Sequence, residues 1–121
     1  MDNRKIVETY YQLANANDWN KWCDLFTDDM VMDEQLAGHI EGLPTLREMM
    51  AGMKTAFPRF QNVPKHIVVS GDQGAVVSHL SIVNAAGQSI ECDVMNYFQF
   101  KSGKISYMAN FHDTKPFDPE S

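Results

Sequence analysis

Apolar positions recur with two different periods along this chain, and the period changes near its middle. Over residues 3–16, Ile6, Val7, Tyr10, Leu13 and Ala14 fall on one stripe at helical spacing, which predicts an amphipathic helix. Residues 15–18 break it. Asp18 is a suitable N-cap for a second helix carrying Trp19, Trp22, Cys23 and Phe26, ended by Asp28 and Asp29. Residues 30–34 alternate weakly and read as a short strand, followed by a loop through Gly38 and Gly42. Thr45 and Glu48 have the spacing of a capping box, opening a third helix with Leu46, Met49, Met50, Met53 and Phe57 on one face; Pro58 stops it.

Beyond Pro58 the segments 61–70, 75–84, 88–100 and 105–113 are rich in β-branched and aromatic residues. They are separated by turn signals at 71–74, 85–87 and 102–103. Helices followed by a meander of long strands predict an α+β fold, an antiparallel sheet with helices packed on one face. Such a sheet curls over its helices and leaves a concave pocket. In the segment 88–100, Ile90, Cys92, Val94, Asn96, Phe98 and Phe100 alternate against Glu91, Asp93, Met95, Tyr97 and Gln99, so the first set is the buried face. Asn96 is its one strongly polar member. A buried amide without partners costs about 1–3 kcal/mol, so Asn96 either bonds a backbone group or faces a polar ligand.

The length of 121 residues is that of one domain, read as 1–115 with an irregular tail at 116–121 containing Pro116 and Pro119. With 44% hydrophobic residues the chain is too apolar for disorder, yet no run approaches the ~20 apolar residues of a membrane span. The first residues carry no apolar signal-peptide region, so a cytoplasmic protein without a membrane partner is expected. Cys23 and Cys92 lie far apart without a CxxC motif, which suits two buried, inert thiols in a reducing compartment. The net charge of −6 argues against binding nucleic acid. Three bases (Arg4, Lys5, Lys21) face eight acids within residues 1–34, most of them on solvated surface. The pair Asp33 and Glu34 ends this stretch, and Glu34 shares a strand face with Met30 and Met32.

Phosphate-binding loops, dinucleotide fingerprints, nucleophile elbows and HExxH are all absent. His39, His66, His79 and His112 lack ligand-like spacing, so no metal and no cofactor are expected.

The order helix, helix, "LFTDDMVMDE", loop, helix and Pro58, then four long strands ending in "GKISYMANFHDTKPF", resembles the nuclear transport factor 2-like superfamily. Within it, the likeness is to the SnoaL-like and ketosteroid isomerase-like branch. The resemblance covers nearly the whole chain. It implies a cone-shaped curved sheet wrapped around the N-terminal helices with an internal pocket, often paired into a homodimer through the outer sheet face. It also implies proton transfer by isomerase or cyclase chemistry, with a carboxylate as base and hydrogen-bond donors for the enolate oxygen, the pattern for which ketosteroid isomerase is a standard example of pKa tuning.

Laid on this sequence, the family's tyrosine falls on Tyr10 in "VETYYQL", its base on Glu34 in "DDMVMDE", and its second acid on Asn96 in "MNYFQF". The last two depart from the family's aspartates. The acid that SnoaL-like cyclases place on the last strand falls on Asn110, with His112 and Asp113 following as candidate acid or base. Both faces of that strand, Met108/Asn110/His112 and Tyr107/Ala109/Phe111, are plausible inward faces, and the resemblance favours the even one. Asp33 is the alternative inward acid. Met32, Met53, Phe57, Phe60, Val94, Phe98 and Met108 complete an expected apolar lining. A small, neutral, mostly apolar ligand with a carbonyl or enol suits such walls, and a dianionic phosphate does not. A sensor or carrier using the same pocket without chemistry is the alternative function.

Overall fold

The computed structural model describes residues 2–119. Its elements are α1 (Asn3–Asn15), α2 (Trp19–Cys23), β1 (Phe26–Glu34), β2 (Gly38–Glu41), α3 (Leu43–Met50), α4 (Met53–Ala56), β3 (Arg59–Ser70), β4 (Gln73–Val83), β5 (Ser89–Lys101) and β6 (Lys104–Phe111). A 3₁₀ turn follows at Lys115–Phe117. Asp2 starts α1 by accepting the Lys5 backbone N–H at 2.8 Å, satisfying one of the free donors of a helix start. The helix buries Ile6, Val7, Tyr10, Tyr11 and Ala14, so Tyr11 joins the predicted stripe. Its far end is tied to β3: the Asn15 side chain donates to the Asn62 carbonyl at 2.9 Å and accepts the Asn62 N–H at 2.6 Å.

The strands form one curved, unclosed sheet in the order β2-β1-β6-β5-β4-β3. Every junction is antiparallel except β1–β6, which is parallel and joins the first strand to the last. This pairing settles the inward face of β6. Met108 stands beside Met32 on β1 and Phe98 on β5, and Asn110 beside Asn96, so the even residues share the concave side. Phe111, on the odd face, is half exposed. Along β5 the burial alternates as the sequence predicts, with Ile90, Val94, Asn96, Phe98 and Phe100 buried and Cys92 partly so. The helices pack on the concave side, α1 chiefly against β3 and α3 against β1.

Four local expectations are corrected. Phe26 does not belong to the second helix: α2 ends at Cys23, and Phe26 begins β1 opposite Ile105. The Leu25 carbonyl accepts the Ile105 N–H at 2.8 Å, so pairing with β6 extends the chain here, and Asp28 and Asp29 are exposed strand residues. The loop through Gly38 contains the short strand β2, whose residues Gly38–Glu41 pair with β1. The capping box is not formed. Gly42 is the N-cap of α3, the helix begins at Leu43 with Pro44 in its first turn, and Gly42 N–H is held by the Met30 carbonyl at 2.8 Å. That helix breaks at Ala51 and Gly52 before α4, and its buried residues are Leu43 and Leu46, while Met49 is exposed. In the expected irregular tail, residues 115–117 form the 3₁₀ turn and residues 120–121 lie outside the described residues. Among the described residues no helix is long and apolar enough to cross a membrane.

Candidate functional site

Helices and the concave sheet face enclose a cavity of about 440 Å³, and every element of the fold supplies at least one wall residue. The wall is mostly apolar, with Met32, Met49, Met50, Met53 and Met108 among its aliphatic side chains and Trp19, Trp22, Phe57, Phe60 and Phe117 among its aromatic ones. No lysine or arginine lines it, and Glu34 is its sole carboxylate among the described residues. Tyr10, Asn62, Asn96, Asn110 and His112 complete the polar set.

Two polar poles result. At the first, Tyr10 stands on α1 in an aromatic cluster, its ring edge-on to Tyr11 at 4.8 Å and to Phe98 at 5.2 Å. Burial pushes its phenol well above the usual tyrosine range, and the charges of Tyr11 and Glu34 add to this, so Tyr10 keeps its proton. Among the described residues its hydroxyl makes no hydrogen bond. Asn96, 2% exposed on β5, donates to the Tyr11 hydroxyl at 2.7 Å. Burial pushes the Tyr11 phenol up to about 12, so this bond joins two neutral groups. The partner that the Asn96 amide needs is therefore a side chain, which parity along β5 alone does not reveal. Trp22 Nε1 and Asn62 Oδ1, on two wall residues, are buried without a protein partner.

At the second pole, Glu34 closes the turn between β1 and β2. One carboxylate oxygen (Oε2) accepts the backbone N–H of Leu36 at 2.8 Å and that of Ala37. The other (Oε1) accepts from Asn110 Nδ2 at 3.2 Å and lies 3.9 Å from His112 Nε2. Asn110 also accepts the Gln35 N–H at 2.9 Å, so it staples the turn to β6. The His112 side chain is 3% exposed and its ring packs against Phe117 at 5.2 Å. Its Nδ1 bonds the Asp113 carbonyl at 2.8 Å.

Of the candidate residues, Tyr10, Met32, Glu34, Met53, Phe57, Asn96, Met108, Asn110 and His112 all reach the cavity wall. Asp33 does not. It points to the outer face, where it accepts from Tyr107 at 2.6 Å and meets His39 at 2.7 Å, because neighbouring strand residues face opposite sides. Phe98 is on the correct face but lies beneath Tyr10, fully buried and behind the wall. Asp113 turns away to cap the 3₁₀ turn through the Lys115 N–H at 3.0 Å. Burial pushes both cysteine thiols up, which suits inert Cys23 and Cys92. The residues missed include the mouth (Leu36, Ala37) and Phe117, which a single strand or helix period does not mark, and Trp19, Trp22, Met49 and Met50, which the helical period placed on apolar stripes without assigning them to the cavity. Among the described residues no group of three or more His, Cys, Asp or Glu is arranged to hold a metal ion. A second, more polar depression between α2 and α3 contains Arg47, already engaged by Asp24 and Asn20.

A cone of this topology with a cavity inside it is the nuclear transport factor 2-like architecture, and solved structures match it over nearly the whole chain. An NTF2-like protein of unknown function from Burkholderia pseudomallei superposes with a TM-score of 0.87 at 15% identity, covering 97% of this chain and 95% of that one. A protein from Jannaschia sp. provisionally named a SnoaL-like polyketide cyclase has a TM-score of 0.75 at 22% identity, covering 94% and 89%. A Catenulispora acidiphila protein with a ketosteroid isomerase-like fold, solved with trimethylamine, has a TM-score of 0.79 at 11% identity, covering 88% and 83%. No curated protein matches the chain. Residues 7–108 match the SnoaL-like domain, and the chain belongs to that family.

Proposed function

We propose that this SnoaL-like chain is a small-molecule enzyme that transfers a proton without a cofactor, in an isomerase- or cyclase-type reaction on a neutral, mostly apolar ketone. The reading is carried by one observation: a carboxylate, an imidazole and a protonated phenol share a cavity that is otherwise mostly apolar and lined by no lysine or arginine. In this reading Glu34 takes the proton α to the carbonyl, and the free Tyr10 hydroxyl donates to the enolate oxygen as charge develops there. Asn96 contributes its remaining N–H, since the other is given to Tyr11. The likeness to a protein named for polyketide cyclisation agrees with this class.

The test is hydrogen–deuterium exchange at the α-carbon of a fused-ring ketone, followed by NMR in deuterated water. Wild type should exceed the buffer rate, and Glu34→Gln should slow exchange by about 100-fold or more at unchanged Tm. Exchange unaffected by Glu34→Gln removes Glu34 from the base role. A second reading, a ligand carrier, is favoured by the three N–H donors that hold the Glu34 carboxylate in the turn. Tight ketone binding with no exchange supports it. A homodimer through the outer sheet face is proposed with either reading. Phe111 and Met95 stand side by side there and Val63 and Val68 are also exposed, so light scattering should give twice the chain mass.

A further inference from the structure

The proton-transfer reading leaves His112 without a task, although its side chain is nearly as inaccessible as the core. A carbonyl oxygen only accepts, so the bond to Asp113 requires the hydrogen on Nδ1, and in the neutral ring Nε2 is a bare acceptor. That acceptor lies 3.9 Å from Glu34 Oε1, beyond hydrogen-bond reach. With the ring neutral, two acceptors stand side by side on the cavity wall with no hydrogen between them. Three N–H donors already answer the Glu34 charge, so this pole lacks a donor more than it lacks a cation.

We propose that His112 Nε2 and Glu34 Oε1 form a two-acceptor clamp for a hydroxyl on the ligand, the phenol or enol group of a flat, uncharged molecule. The proposal rests on the same cavity being the functional site and adds to its ketone a second recognition feature. A hydroxyl placed between the two atoms gives its hydrogen to either one. An ether in its place leaves His112 Nε2 desolvated and unpaired and Glu34 Oε1 with Asn110 alone, and a carboxylate or phosphate adds further acceptors where the wall has no lysine or arginine to meet them. Phe117 against the imidazole and the methionines opposite supply the flat apolar contact.

Isothermal titration calorimetry with four matched probes tests this: β-naphthol, its methyl ether, β-naphthoate and β-naphthylmethylammonium. Naphthol should bind wild type about ten-fold more tightly than the ether or better, with naphthoate weakest. In His112→Phe, which keeps an aromatic ring but no acceptor, the gap between naphthol and ether should shrink to about three-fold or less, with thermal unfolding verifying the fold. Equal binding of naphthol and ether, no naphthol binding, or a preference for the naphthoate or the ammonium overturns the clamp. Nitrogen-15 NMR of wild type checks it without any ligand: the neutral His112 ring should carry its hydrogen on Nδ1, and a hydrogen on Nε2 overturns the proposal. None of these arms needs turnover. A naphthol preference without ketone exchange retires the proton-transfer reading alone, and exchange without the preference retires the clamp alone.

Discussion

On the outer face of the sheet, His39 sits between Asp33 and Glu41 and His79 between Glu91 and Asp93, each ring nitrogen 2.7–3.1 Å from a carboxylate oxygen. On the inner face, His112 meets one backbone carbonyl at 2.8 Å and one carboxylate at 3.9 Å. Carboxylates at both nitrogens call for hydrogens at both, so this pairing favours the imidazolium form of the outer rings. Hydrogen bonds donated to Asp33 and Glu41 raise His39, and those donated to Glu91 and Asp93 raise His79. The carboxylates are lowered in turn: Asp33 first by Tyr107 and then by His39, Glu91 by His79 and then Ser81, Asp93 by His79. Outside, both nitrogens of each ring are engaged and water screens the rest, so the clusters are surface ion pairs. Inside, the imidazole and the carboxylate stand 3.9 Å apart without a hydrogen bond between them. Two partners at each ring hold the outer histidines in place, and the inner one keeps a nitrogen open toward the cavity.

The contrast between the two faces can be broken by mutation. Phe98→Ala, behind the inner wall, should cost about 3–5 kcal/mol in urea denaturation at any protein concentration, and the matched change Phe111→Ala on the outer face should stay within about 0.5 kcal/mol at dilutions where the chain is monomeric. Its cost should rise with protein concentration if the outer face pairs as proposed, and a cost that stays small at high concentration would remove Phe111 from a dimer interface. Tyr11→Phe removes the acceptor of the Asn96 amide and should cost about 1–3 kcal/mol; a neutral result would show the amide finding another partner. The smallest effect belongs to His79→Gln, and there the pH dependence matters more than the size. His79 is raised, so its contribution is full below the ordinary histidine range and fades as pH climbs through its raised value. Glu91 and Asp93 are lowered, so theirs is full above the ordinary carboxylate range and fades as pH falls. The difference in urea midpoint between wild type and variant should peak in the weakly acidic window between these ranges and shrink with added salt. A difference undiminished at alkaline pH would refute the imidazolium assignment.

Period-two alternation made β5 fully legible, because its polar and apolar faces are cleanly separated and both are long. The same parity carried from Met30 and Met32 placed Glu34 inside, and it implies that Asp33 cannot be there as well. Parity tells which side a residue faces but not how deep it lies, which is why Phe98 was expected on the wall and sits behind it. In β6 both faces carry apolar side chains, and only the partners across the sheet, Met32 and Asn96, distinguish them. Those partners are far apart in the chain. The front half of β1 was hidden for a similar reason: Thr27, Asp28 and Asp29 give no strand pattern, and pairing with Ile105 near the C-terminus imposes one. The pairing of Asn96 with Tyr11 links residues 85 positions apart, and nothing local announces it.

Trp19 and Trp22 are the two tryptophans of the chain, and both stand in the cavity wall. Their rings touch edge to face at 5.4 Å, and Trp19 rests on Phe60 while Trp22 rests on Tyr10. All of the protein's indole emission therefore originates at the cavity. A molecule entering the cavity displaces the solvent these two chromophores sense, so the unmodified chain reports its own occupancy. Libraries of compounds can be screened against it by intrinsic fluorescence, with no label attached and no reaction assumed.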